Sequence, residues 1–174
     1  MAEEKKEPWL NYLALTTVIF AVCATLSTLK GGGYGSKAVM SQAQASDQWS
    51  YYQSKSVKGY LYELQRDKLD LELKIGGRGA AEYRKKIAFY QDEINRYKGE
   101  KEEIMKKAQA LEATRDNAQK HSGAFGLAAM FLQIAILLSS IAALMKKKLF
   151  WFIGVAGGCI GLVYFFNGFF LFIK

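Results

Sequence analysis

Apolar and polar residues are sorted into blocks along this chain rather than mixed. Trp9 to Leu29 runs 21 residues without a charge, Gly123 to Met145 runs 23, and Leu149 to Ile173 runs 25. About 20 apolar residues suffice to span the hydrocarbon of a bilayer. A core helix of a soluble protein would show a polar face at helical period, which these blocks lack. The pattern predicts three transmembrane helices.

The block between the first and second spans is charged and free of proline, and it repeats at helical period. Val57, Leu61, Leu64, Leu71 and Ile75 fall four and three apart once Lys68 is counted among them. Tyr83, Ile87, Tyr90, Ile94, Tyr97, Ile104 and Leu111 continue the same spacing with Lys101, Ala108, Arg115 and Ala118, as in a coiled-coil seam. Glu82 with Lys86, Asp92 with Arg96, Glu102 with Lys106 and Glu103 with Lys107 place an acid four residues before a base, each pair contributing about 0.2–0.5 kcal/mol on a solvated face.

Glycine clusters punctuate the pattern. Gly31, Gly32, Gly33 and Gly35 are expected to interrupt the helix and form a hinge, since each glycine costs about 1 kcal/mol relative to alanine. Gly76, Gly77 and Gly79, flanking Arg78, are expected to end one helix in left-handed geometry and form a hairpin tip. Two helices of about 40 residues at 1.5 Å per residue make a hairpin of roughly 60 Å.

The expected fold is therefore an all-α membrane protein: three transmembrane helices with a long antiparallel, coiled-coil-like helical hairpin between the first and second. Its segments are a polar N-terminal tail at 1–8, transmembrane helix 1 at 9–29, a glycine hinge at 30–35, and an extramembrane helical hairpin at 36–120 with its tip at 76–79. Transmembrane helix 2 follows at 121–145, a basic loop at 146–148 and transmembrane helix 3 at 149–174. The first span exceeds the roughly 7–15 apolar residues of a cleaved signal and reads as a retained anchor, although Ala21 and Ala24 are small.

Small residues mark the faces where these spans can approach other helices. Thr17, Ala21, Ala24 and Thr28 share one face of the first, and Gly154, Gly157, Gly158 and Gly161 form two overlapping pairs at spacing four in the third. They are candidate oligomer or helix-packing contacts, with packing inside the chain as the default. Lys146, Lys147 and Lys148, with Lys5 and Lys6, favour a cytoplasmic basic loop and a hairpin on the outer, periplasmic side. Residues 30–120 nevertheless carry 18 of the 24 Lys and Arg residues, which pulls the other way.

The formal net charge of +8 changes little, because the bases are interleaved with acids and no basic stripe for nucleic acid stands out. His121 is the only histidine, and Cys23 and Cys159 lie in different apolar blocks. Neither a metal-ligand spacing nor a disulfide framework results. The glycine clusters lack the Gly-Lys-Ser/Thr of a phosphate loop, and the carboxylates sit on solvated faces rather than in a sheltered cleft. No catalytic, cofactor-binding or metal-binding residue is expected, nor a small-molecule substrate. A spanning charge that would mark ion coupling is also missing from the three blocks.

The run Ser41-Gln42-Ala43-Gln44-Ala45-Ser46-Asp47-Gln48-Trp49-Ser50-Tyr51-Tyr52-Gln53-Ser54-Lys55-Ser56, preceded by Leu10-Asn11-Tyr12-Leu13-Ala14-Leu15 and the glycine cluster, resembles an uncharacterised prokaryotic membrane family, domain of unknown function 4337. The resemblance implies one leading and two trailing spans over most of the chain, in a prokaryotic cytoplasmic (inner) membrane, and supplies no activity. Within the run, Asp47, Gln48, Trp49 and Tyr52 are candidate partner or interface contacts, or a helix-packing signature. The narrow seam, broken by Lys101 and Arg115, leaves a hairpin that is marginal alone. The expected role is structural or accessory: a scaffold in the bilayer that self-associates as a homo-oligomer or joins a larger membrane or envelope complex. The alternative is an oligomeric channel or transporter component with the hairpin as gate or regulatory arm.

Overall fold

A computed structural model describes residues 8–76 and 79–173. Lys5, Lys6 and most of the N-terminal tail, Gly77 and Arg78 of the tip, and Lys174 lie outside the described residues. Among the described residues there are three α-helices: α1 (Pro8–Lys74), α2 (Ala80–Met145) and α3 (Lys148–Phe170). Each contains a stretch long and apolar enough to cross a membrane. The first two are joined as a hairpin, and Gly76 (φ 88°) and Gly79 (φ 103°) take the positive φ that a side chain disfavours.

The expected break at residues 30–35 is absent, because α1 continues through the glycine cluster without interruption. The physical reason is a close helix approach. A Cβ on Gly31 would stand 3.1 Å from the Phe125 Cβ, and one on Gly35 would stand 3.3 Å from the Ser122 Oγ. Ser122 also donates a hydrogen bond to the Gly31 carbonyl at 3.0 Å. Contact with α2 offsets the helix-breaking tendency of these two glycines.

The basic loop is shorter than expected. Lys146 adopts φ 51°, the Lys147 amide bonds back to the Ala142 carbonyl at 3.2 Å, and Lys148 already begins α3. The third helix also stops before the charge-free block ends. Leu171 takes a left-handed cap, and the buried Asn167 accepts the Ile173 amide at 2.7 Å on its Oδ1, so that its side chain replaces the next helical turn.

The described residues divide into two compact units, one of residues up to Val39 with those from Arg115 onward, the other Met40–Thr114. In the first, Phe20, Ala24, Leu132 and Ala135 form one buried cluster, and Trp9, Leu13 and Ala142 another. In the second, α1 and α2 pack as an antiparallel pair around Ala45, Ile94, Tyr97, Ile104 and Ala108.

Candidate functional site: helix contacts and an exposed stripe

In the three-helix unit the packing is set by where glycine removes a side chain. A Cβ on Gly158 would overlap the Phe20 ring, and one on Gly161 would come within 2.8 Å of the Leu132 side chain. At Gly154 it would meet the Ala135 carbonyl at 3.1 Å, and at Gly168 the Phe125 ring at 2.6 Å. Gly154, Gly158 and Gly161 are therefore spent on contacts inside the chain. Gly157 differs: nothing lies within 4 Å of its Cβ direction.

The small-residue face of the first span is divided in the same way. Ala24 is buried, Thr17 and Ala21 are half-buried and Thr28 is exposed. The Thr17 and Thr28 hydroxyls donate to the Leu13 and Ala24 carbonyls at 2.8 and 3.0 Å, which satisfies them within their own helix. Near the same unit's charged end, His121 stacks on Tyr34 with ring centroids 4.5 Å apart, and its Nδ1 lies 2.8 Å from the Gly168 carbonyl oxygen. Trp151 donates from Nε1 to the Thr16 hydroxyl at 3.2 Å and lies against Trp9.

In the two-helix unit, the α2 series Tyr83, Ile87, Tyr90, Ile94, Tyr97, Ile104 and Leu111 is buried or half-buried throughout. The α1 series expected to face it is not. Val57, Leu61, Leu64, Leu71 and Ile75 are 58, 55, 65, 59 and 77% exposed. The face of α1 that α2 covers is instead Ser41, Ala45, Gln48, Tyr52, Lys55, Gly59, Tyr62, Arg66, Leu69 and Leu73, all buried or half-buried.

Both series alternate four and three, and the second lies two residues behind the first. Two residues are about 200° around a helix, so the aliphatic stripe occupies the face turned away from α2. Small residues explain the choice. Gly59 lets the Tyr97 Cβ approach to within 3.6 Å of where its own would be, and Ser41 and Ala45 keep the axes close.

Polar groups then lock the covered face. Trp49 donates from Nε1 to the Glu112 carboxylate at 2.9 Å, and Arg66 donates to the Gln91 side-chain oxygen at 2.9 Å. Lys55 pairs with Glu100 at 2.6 Å. That hydrogen bond is the main cause holding the Glu100 carboxyl below its ordinary value and the Lys55 ammonium above its own. Tyr62 packs against Tyr90 and Tyr97, with centroids 5.8 and 5.7 Å away.

The candidate contact residues thus separate. Trp49, Tyr52 and Gln48 are half-buried in the hairpin, Trp49 and Tyr52 meeting edge to face at 5.6 Å, while Asp47 is exposed. Sequence reasoning missed Ser41, Ala45 and Gly59 as seam residues; their four-three spacing is the signal that could have found them.

No curated protein and no solved structure matches the chain. The family model described as "Domain of unknown function (DUF4337)" matches residues 9–171, and the chain belongs to that family.

Proposed function

We propose that this chain is a structural or accessory integral membrane protein. It self-associates and presents its charged helical hairpin, outside the bilayer, to a larger membrane or envelope complex. The observation that carries this reading is where the apolar side chains of the three charge-free stretches point. Leu15, Val18, Leu137, Leu144 and Phe152 stand outward, 60, 59, 59, 86 and 60% exposed. Apolar surface on this scale is unfavourable in water and favourable in hydrocarbon.

A bilayer supports the other features of these stretches as well. Ser27, Thr17 and Thr28 satisfy their hydroxyls on their own helix, as apolar surroundings require. Trp9 and Trp151 meet beside the Lys146–Lys148 turn, a pairing of aromatic and basic residues suited to the interface. We place the protein in a prokaryotic inner membrane, with that turn in the cytoplasm and the hairpin on the outer side.

Crosslinking in native membranes followed by identification of the linked species tests the role. The expected result is a ladder of multiples of this chain together with a reproducible larger partner. A protein released by alkaline carbonate is not integral, and one that stays monomeric and captures nothing is not a scaffold.

A further inference from the structure

The outward stripe of α1 has the form of a coiled-coil seam without a second helix. Val57, Leu64 and Leu71 fall at one core position of the heptad and Leu61, Lys68 and Ile75 at the other. All six are exposed, while the opposite face of the same helix already packs on α2. Together the five aliphatic side chains expose roughly 500 Å², within the range of the largest patch that a typical monomeric protein shows, which is often functional.

We infer that this stripe is the surface through which the chain pairs with a second copy of itself, the two α1 helices lying side by side, in the same direction and in register. The inference rests on the self-association proposed above and assigns it a seam. Copies inserted into one membrane with one topology carry their α1 helices in the same direction. A two-fold pairing then sets each aliphatic residue against its own counterpart.

Area and charge both fit that occupant. Two such stripes bury roughly 1,000 Å² together, about the floor for a specific interface. Lys68 is the one charged core position. In a parallel pair its long side chain reaches toward the flanking position before it on the other helix, which Asp67 occupies, and Glu72 lies one turn further along its own. Two lysines are thereby framed by the Asp67 and Glu72 carboxylates of both copies. A single lysine in an otherwise aliphatic seam costs stability but fixes register and favours two strands over more.

The test uses the full chain in native membranes, with Cys23 and Cys159 replaced by serine. Leu64→Cys should form a disulfide-linked dimer on mild oxidation, and Glu102→Cys, on exposed α2 surface, should not. Leu64→Glu with Leu71→Glu should weaken association about tenfold or more while helicity is unchanged, because both residues face away from α2. Lys68→Leu should strengthen it.

If Leu64→Cys gives no dimer, or the double glutamate variant associates as before, while lysine-reactive crosslinkers still join copies of the wild-type chain, the seam is wrong and self-association stands. A wild-type chain that remains monomeric overturns both. Leu64→Cys linking only to a different protein overturns the choice of a second copy.

Discussion

Phe20 of α1 lays the tip of its ring on the backbone of Gly158 in α3, filling the space where any other residue would carry a side chain. The contact sits in the buried cluster with Leu132 and Ala135, so displacing the ring disturbs that packing. Gly158→Ala is expected to destabilise the three-helix unit by about 1–3 kcal/mol, the usual cost of overpacking. Gly157→Ala, one residue earlier, meets nothing within 4 Å and should be neutral or slightly stabilising. Thermal unfolding of the two variants in detergent separates them, and equal effects would mean the ring is not fixed there.

The glycine cluster of α1 yields a second contrast. Added Cβ atoms at Gly32 and Gly33 meet nothing, whereas at Gly31 one presses on Phe125. Because the helix is continuous here, Gly32→Ala and Gly33→Ala should each stabilise it by up to about 1 kcal/mol. Gly31→Leu should destabilise it. Circular dichroism during thermal unfolding reads the difference; a loss of stability in the two alanine variants would indicate a functional break in the helix.

Trp49 and Glu112 join the two hairpin helices through one charge-assisted hydrogen bond of 2.9 Å. Trp49→Phe keeps most of the ring and removes the donor, so a loss of about 1–2 kcal/mol is expected. Glu112→Gln keeps an acceptor and should cost less. Amide hydrogen exchange around residues 46–52 and 109–115 follows the loosening directly.

Acid should weaken the hairpin through Glu100. The hydrogen bond from Lys55 holds its folded-state pKa below the unfolded value, with Arg96 and Lys58 adding attraction. A depressed carboxylate contributes stability that is present above the ordinary glutamate value and is lost as pH falls through the lower folded value. Lys55, raised chiefly by Glu100, contributes below the ordinary lysine value and loses that contribution as pH rises through its folded value. Glu100→Gln should therefore unfold at a lower temperature than the wild type at neutral pH, and the gap should close on acidification. A gap unchanged at low pH would mean the pair is not formed.

Much of the fold is legible in the sequence because its strongest signals are local. Charge-free blocks and the glycines flanking Arg78 depend on composition and backbone freedom alone, and α1, α2 and the turn at Gly76 and Gly79 fall where those signals lie. The α2 series was readable because its buried residues are also its apolar ones. In α1 the two properties part company. The face that packs holds Ser41, Ala45, Lys55 and Gly59, and the more hydrophobic face lies about 200° away. Hydrophobic period reports that a helix has a preferred face, but close approach of two axes rewards small residues. Gly31 misled for the same reason: its value lies in a contact with Phe125, 94 positions further along the chain, which no local rule registers.

A hairpin held outside the bilayer requires that the charge-free part of α2 cross it. Cysteines placed singly at Gln119 and at Lys147, both exposed and on either side of Gly123–Met145, test it in intact cells with a membrane-impermeant maleimide, in a chain whose native cysteines are serine. Labelling of Gln119→Cys with protection of Lys147→Cys until lysis is the result predicted for a spanning helix with its basic turn in the cytoplasm. Labelling of both, or protection of both, would contradict the crossing and remove the basis for a membrane-anchored hairpin.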